Sequence, residues 1–83
     1  MNRKPPLDWL CRRGMKELEW PLQRYLARAY PASTPAEQAR FRRFLEQADD
    51  QLWGWLYGVP TSPLPDEFHS LVQQILTDPE FTP

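Results

Sequence analysis

Residues 34–48 read TPAEQARFRRFLEQA, and this stretch decides the fold. Thr34 and Glu37 have the spacing of a capping box, in which each side chain accepts a hydrogen bond from the other residue's backbone amide. Pro35 then stands at the first helical position, where its missing N–H is not needed. Apolar residues recur every three or four positions after it and are expected to form an inner face: Phe41, Phe44, Leu45 and Ala48. The pattern predicts an amphipathic α-helix.

The sequence before this stretch has the same spacing of apolar residues and predicts two more helices. The first extends from Leu7 to about Arg13 and the second from about Met15 to Tyr30, with Gly14 at the break between them. Pro21 lies inside the second helix, where it removes an amide donor. We expect it to kink this helix or to mark where its regular part begins.

Two further helices are expected after residue 48. Asp49 or Asp50 would cap a short helix that ends at Gly58 and Pro60 and contains these apolar residues: Leu52, Trp53, Trp55, Leu56 and Tyr57. A proline-rich connector leads to a last amphipathic helix with a regular apolar face: Phe68, Leu71, Val72, Ile75 and Leu76. The sequence therefore predicts an all-α, small five-helix bundle. It would form a single domain over 1–83, with loose termini at 1–6 and 78–83.

The composition argues against catalysis and against a metal site. The 83 residues include one His, one Cys and three Gly, whereas a structural zinc site needs about four Cys or His ligands. A glycine-rich phosphate loop cannot be written with these glycines. One Cys cannot form an internal disulfide, no apolar run approaches the roughly 20 residues of a membrane span, and no secretory signal is visible. We expect a cytoplasmic monomer that is not an enzyme, has no cofactor of its own and does not insert into a membrane.

The charges are divided unevenly along the chain. All ten Lys and Arg residues precede residue 44, so the first 43 residues carry a formal charge of +6 and the rest carry −7. One interpretation is that the two halves pack against each other and neutralise one another. The other is a basic binding face around Arg12, Arg13 and Lys16, set apart from an acidic area near Asp49 and Asp50. The net charge of −1 makes nucleic acid an unfavourable partner.

The run WLCRRGMKE, residues 9–17, is not explained by packing alone. It concentrates three cations, a glycine and a tryptophan at a helix break. Gly14 permits a backbone geometry that a side chain would block, and the planar guanidinium of Arg13 suits a carboxylate or a phosphate. Glu17 follows Arg13 by four residues, so an ion pair within the helix is the alternative to a partner surface.

This run resembles the RGxxE signature of the SdhE-type succinate dehydrogenase assembly factors, with Arg13, Gly14 and Glu17 at the signature positions. Pro21 matches a proline that the family carries in its second helix. The family's downstream acidic and aromatic segment is similar to three pieces of this chain: 43–46, Asp49 and 52–56. The resemblance extends from about Trp9 to Leu76. It implies a small five-helix protein that promotes covalent attachment of FAD to the succinate dehydrogenase flavoprotein.

The resemblance also implies a docking surface for that flavoprotein. The residues expected on it are the signature positions and their neighbours: Arg13, Gly14, Glu17, Trp9, Met15, Arg12 and Asp49. Two departures from the family pattern are Glu19, where an Asp is usual, and Gln47-Ala48, in place of a Cys-Asp pair. Trp55 is expected in the core, as is Cys11. His69 is expected in solvent, and Trp53 and Tyr57 at the rim of the core. The alternative for part of this aromatic cluster is a docking platform, since aromatic residues are enriched at interfaces.

The expected function is an assembly chaperone that binds the flavoprotein subunit of succinate dehydrogenase and promotes its flavinylation. The FAD and the chemistry of bond formation belong to the partner, and fumarate reductase is a second candidate client. Two alternatives stay open. One is an antitoxin-like or other protein-interaction module without a flavoprotein client, and the other is a nucleic-acid-binding helical domain.

Overall fold

The computed structural model describes residues 6–58 and 63–79. In these residues it contains five α-helices and no strand: α1 (Leu7–Leu10), α2 (Lys16–Arg28), α3 (Pro35–Leu45), α4 (Asp49–Tyr57) and α5 (His69–Leu76). Two 3-10 turns, Tyr30–Ala32 and Asp66–Phe68, precede α3 and α5. The prediction of an all-α five-helix fold is confirmed. Residues 1–5 and 80–83, part of the termini expected to be loose, lie outside the described residues, as does Pro60.

One apolar core holds the helices together. α2 packs against α1, α4 and α5, and α4 also packs against α5. The buried side chains of the core come from α2 to α5, from the turn before α5 and from the residue just after α1, which itself has no buried residue: Cys11, Leu18, Leu22, Tyr25, Phe41, Phe44, Leu45, Leu52, Trp55, Leu56, Phe68, Leu71, Val72 and Ile75. Phe44 lies at an aromatic junction, with its ring centroid 5.2 Å from that of Phe68 and 6.0 Å from that of Trp55. The prediction that Trp55 is a core residue is confirmed.

The start of α3 agrees with the capping box read from the sequence. The Glu37 amide donates to Thr34 Oγ1 at 3.2 Å, and the Thr34 amide donates to Glu37 Oε1 at 2.8 Å. The bond from the Thr34 backbone lowers the pKa of the Glu37 carboxyl. The far end differs from the prediction, because α3 ends at Leu45 and Ala48 is exposed. Ala48 is instead the residue that precedes α4, in extended conformation.

The prediction that Asp49 or Asp50 caps α4 is wrong. Ala48 occupies the cap position and no side chain there accepts a helical amide, while both aspartates lie in the first turn. Carboxylates in a first turn still favour the positive end of the helix dipole. The carboxylate of Asp49 has a tertiary partner, Arg13, which a local capping rule does not take into account.

Pro21 lies within α2, and the consequence of its missing N–H is visible in the structure. A regular helix would bond the amide of residue 21 to the carbonyl of Glu17. Tyr57 replaces that donor, because its hydroxyl lies 2.5 Å from the Glu17 oxygen. A tyrosine hydroxyl is a protonated donor at neutral pH, and burial raises the pKa of the Tyr57 hydroxyl further. Because Pro21 leaves the Glu17 carbonyl free to accept, a hydrogen bond from α4 to α2 can form there.

Two helices end earlier in the sequence than expected. α1 ends at Leu10 rather than near Arg13, and α2 ends at Arg28 rather than Tyr30. Pro31 has no N–H to continue the helical hydrogen bonds and its ring clashes with the preceding turn, so it limits α2, and the chain continues as the 3-10 turn. No helix in residues 6–58 or 63–79 combines the length and the apolar character that crossing a membrane requires.

Candidate docking site around the Gly14 turn

Gly14 is required by the backbone of the turn between α1 and α2. Its φ is +75°, in the left-handed region that glycine enters easily and other residues enter at a cost of about 1 kcal/mol. A Cβ built on Gly14 would meet no atom within 4 Å. The space in front of Gly14 is therefore open, and the requirement for glycine within this chain is conformational rather than steric. Met15 follows in extended conformation and precedes α2.

Glu19 closes the turn from the side of α2. Its Oε2 accepts the backbone amide of Arg13 at 2.9 Å and that of Gly14 at 2.6 Å. Two successive amides thus converge on one carboxylate oxygen. From the sequence, Glu19 was visible only as a departure from the family's usual Asp, and this role could not be read from it. The one signal in the sequence was a carboxylate five residues after a glycine break. Its role becomes clear only from the contact that it makes in the folded chain.

Arg13 holds the turn from the opposite side. Its guanidinium donates to the backbone oxygen of Leu45, to that of Gln47 at 3.2 Å and to Asp49 Oδ1 at 3.1 Å. The side chain is only 14% exposed. Because carbonyls at a helix C-terminus lack helical donors, the cation stabilises the end of α3 together with the first turn of α4.

The expected basic area around Arg13, set apart from an acidic area near Asp49, is therefore wrong. The structure joins the two residues directly, since the chain folds its basic half onto its acidic half. The interpretation that the two halves pack against each other is confirmed by further ion pairs, Arg43 with Glu67 at 2.8 Å and Arg24 with Asp78 at 3.6 Å. The alternative of an ion pair between Arg13 and Glu17 is not what forms. Arg12 and Lys16 remain exposed beside the turn.

Large apolar side chains project into solvent around the turn. Trp9 is 61% exposed, and Met15 is exposed as well. The charged side chain of Glu17 is also in solvent. Trp9 also borders a shallow depression with Leu10, Arg12 and Arg13. The structure thus brings Trp9, Arg12 and Arg13 together and leaves Gly14, Met15 and Glu17 uncovered.

Trp20 is a surface residue that the sequence analysis missed. It is 64% exposed, although it lies in the middle of α2. The apolar register of that helix, carried by Leu18, Leu22 and Tyr25, places position 20 on the opposite face. A tryptophan out of register with its own helix was the available signal.

Trp20 and the aromatic residues of α4 both lie near Glu17. Trp20 lies one helical turn after Glu17, the Glu17 carbonyl accepts the Tyr57 hydroxyl, and the rings of Tyr57 and Trp53 are 4.7 Å apart. Trp53 is itself partly exposed, so the expected placement of Trp53 and Tyr57 at the rim of the core is confirmed. We call the exposed residues around the turn the Gly14 face: Trp9, Arg12, Gly14, Met15, Lys16, Glu17, Trp20 and Trp53.

The thiol of Cys11 and the imidazole of His69 are the two side chains of the chain that most often act as nucleophile or base. Cys11 is fully buried, and burial raises the pKa of its thiol to about 11, so it is a protonated core residue at neutral pH, as predicted. His69 is exposed at the start of α5, as predicted. Within residues 6–58 and 63–79, no group of His, Cys, Asp and Glu side chains could hold a metal ion.

Comparison with known proteins agrees with the resemblance seen in the sequence. Residues 6–78 match the protein family described as flavinator of succinate dehydrogenase. Proteins named FAD assembly factor SdhE are similar: that of Coxiella burnetii is 37% identical over 83% of this chain and 83% of its own length, and that of a Serratia species 32% over 88% and 85%. That of Xylella fastidiosa strain Temecula1 is 46% identical over 63% of this chain.

The chain spans about half the length of the Xylella relative, 54%, and most of the length of the other two. No solved structure matches. The family match extends from the residue before α1 to the second residue after α5, and so covers all five helices and the Gly14 turn. The chain belongs to the flavinators of succinate dehydrogenase, the family of the FAD assembly factors.

Proposed function

We propose that this chain binds the flavoprotein subunit of succinate dehydrogenase and promotes its covalent flavinylation. The observation that carries the proposal is the Gly14 turn. No atom of the chain covers the Cβ side of Gly14, and hydrogen bonds of Glu19 and Arg13 fix the turn to α2 and to the start of α4. Preorganised surfaces bind with a smaller entropic penalty than flexible ones. The match to the flavinator family supports the choice of the flavoprotein as the client.

In this proposal the chain acts by positioning and not by chemistry. The Cys11 thiol is buried and protonated, so it is not a nucleophile. Orienting two bound groups can lower a barrier by several kcal/mol without any catalytic side chain. The chaperone would hold the flavoprotein while FAD and its attachment residue reach a reactive geometry. The FAD would be the client's, and the client's own groups would form the bond.

The proposed contact surface is the Gly14 face. Its exposed tryptophans and Met15 are residue types enriched at protein interfaces, and Glu17, Arg12 and Lys16 supply a charged rim. Arg13 and Asp49, which were expected on this surface, lie behind it and bond to each other. We propose that these two residues act through the turn they support. We also propose that the chain works as a single-domain monomer, with fumarate reductase as a second client.

The proposal is tested by co-expressing the flavoprotein with this chain in cells that lack their own assembly factor. Covalent flavin is measured by fluorescence of the denatured flavoprotein in a gel. Gly14→Arg introduces bulk on the open side of the turn and should abolish the gain in covalent flavin. Gln73→Arg adds the same side chain at an exposed position of α5 and should leave the gain unchanged.

Two outcomes would contradict the proposal. A wild-type chain that leaves covalent flavin at the level of the empty vector would favour an interaction module with another client. Equal flavinylation by wild type and by a folded Gly14→Arg variant would move the docking surface away from the turn.

A further inference from the structure

Glu19 restrains the most flexible residue of the proposed docking surface. Glycine has more backbone freedom than any other residue, so a glycine turn without restraint would sample several conformations. Glu19 Oε2 accepts both the Arg13 and the Gly14 amides, at 2.9 Å and 2.6 Å. Bonds from backbone amides to a carboxylate are charge-assisted and stronger than neutral ones. The pair of bonds therefore selects one backbone conformation at Gly14.

The restraint by Glu19 is independent of the restraint by Arg13. The Arg13 side chain anchors the turn to the junction of α3 and α4, whereas Glu19 anchors the backbone of the turn to α2. Glu19 is half-buried, and the oxygen that it uses faces into the turn. Its carboxylate thus serves the chain's own backbone.

We propose that Glu19 is a positioning residue for docking, which presets the Arg13–Gly14 backbone in the conformation that the client meets. The inference rests on the proposed function, since it takes the Gly14 face as the docking surface. It adds a residue outside the three signature positions and gives it a mechanism. Without Glu19, the turn would have to become ordered when the client binds, and this loss of entropy would weaken binding.

The mechanism separates the acceptor oxygen of Glu19 from its charge. Glu19→Gln keeps an oxygen that can accept both amides but removes the negative charge. Glu19→Ala removes both. Gln23→Ala serves as the matched control, because Gln23 is an exposed residue of the same helix. A contact between the Glu19 charge and a cation of the client would instead make the Gln and Ala variants equally defective.

Two measurements on the purified full chain test the proposal. Hydrogen exchange followed by NMR reports protection of the Arg13 and Gly14 amides, and titration with the apo-flavoprotein gives the Kd. Glu19→Ala should lose protection at both amides and bind about tenfold more weakly, the factor expected when the backbone of about one residue must be ordered on binding. Glu19→Gln should keep the protection and bind within about threefold of wild type, because a neutral acceptor remains. Gln23→Ala should match wild type in both.

Three outcomes would contradict either the positioning role of Glu19 or the proposed function. A folded Glu19→Ala variant that binds like wild type would overturn the positioning role. So would a Glu19→Gln variant that keeps its protected amides but binds as weakly as Glu19→Ala, since the charge would then act directly on the client. A wild-type chain with protected amides that does not bind the flavoprotein would instead contradict the proposed function itself.

Discussion

Arg13 Nη1 lies 3.1 Å from Asp49 Oδ1, and this ion pair joins the turn before α2 to the first residue of α4, 36 positions further along the chain. The same guanidinium reaches the carbonyls of Leu45 and Gln47. A residue expected to face a partner is thus built into the fold. We propose that it affects docking through the turn that it holds.

We expect Arg13→Ala to lower the free energy of unfolding by about 2 kcal/mol or more, because three acceptors lose their donor at a largely buried site. Asp49→Ala removes only one of the three acceptors and should cost less. Urea unfolding of both variants and of the double variant measures the coupling between them. An Arg13→Ala protein within about 0.5 kcal/mol of wild type, the range of ordinary surface substitutions, would show that the guanidinium does not support the fold.

Gly14→Ala should lower the free energy of unfolding by about 1 kcal/mol, since φ of +75° disfavours a side chain even where space is free. Gly14→Asn should cost less, because asparagine tolerates the left-handed region. Chemical denaturation of the two variants makes the comparison. Equal stability of the Ala variant and wild type would mean that the turn relaxes to another conformation.

Tyr57→Phe should lower the free energy of unfolding by about 1 kcal/mol, the value of one hydrogen bond, because the Glu17 carbonyl loses its donor. Tyr30→Phe, on a partly buried tyrosine elsewhere in the core rim, is the control. The cause is tested by Pro21→Ala, which returns an amide to residue 21. In that background the loss caused by Tyr57→Phe should shrink, and a loss of unchanged size would contradict the link to Pro21.

The Cys11 thiol should contribute a pH-dependent part of the stability. Its pKa is raised from 9.0 to about 11 in the folded chain. Between these two pH values the thiol of the unfolded chain ionises while that of the folded chain stays protonated. The contribution to the free energy of unfolding is therefore complete below pH 9 and is lost as the pH rises towards 11. The free energy of unfolding is measured from pH 8 to 11 for wild type and Cys11→Ala. Parallel curves for the two proteins would contradict the raised pKa.

Trp20→Ala should leave the free energy of unfolding within about 0.5 kcal/mol of wild type, because the side chain is mostly in solvent. Binding to the apo-flavoprotein should nevertheless weaken by about tenfold, as is common for an exposed aromatic residue at an interface centre. Calorimetric titration gives the Kd, and Gln23→Ala again provides the control. Unchanged affinity would show that Trp20 is not part of the docking surface.

The helices could be predicted from the sequence because their signals are local. The capping box of Thr34 and Glu37 lies within one turn, and the apolar register from Phe68 to Ile75 repeats on one helix face. Ala48 shows the limit of this reasoning. It continues the apolar register of α3, but the chain leaves the helix at Leu45, where Arg13 binds the terminal carbonyl.

The candidate site could be predicted only in part. The sequence located the turn and its exposed Trp9 and Met15, since a glycine break between helical patterns is visible locally. It could not reveal that Arg13 pairs with Asp49 or that Glu19 closes the turn, because both contacts depend on how helices meet in space. Trp20 differs, as its position outside the apolar register of α2 was visible and was overlooked.

The measurement that tests the central claim most directly is site-specific photo-crosslinking to the apo-flavoprotein. A photoreactive amino acid replaces Met15, which is exposed beside Gly14, or Gln73, which is exposed on α5. We predict that the chain crosslinked through position 15 captures the flavoprotein and that the chain labelled at position 73 does not. Capture through position 73 with none through position 15 would contradict docking by the Gly14 face.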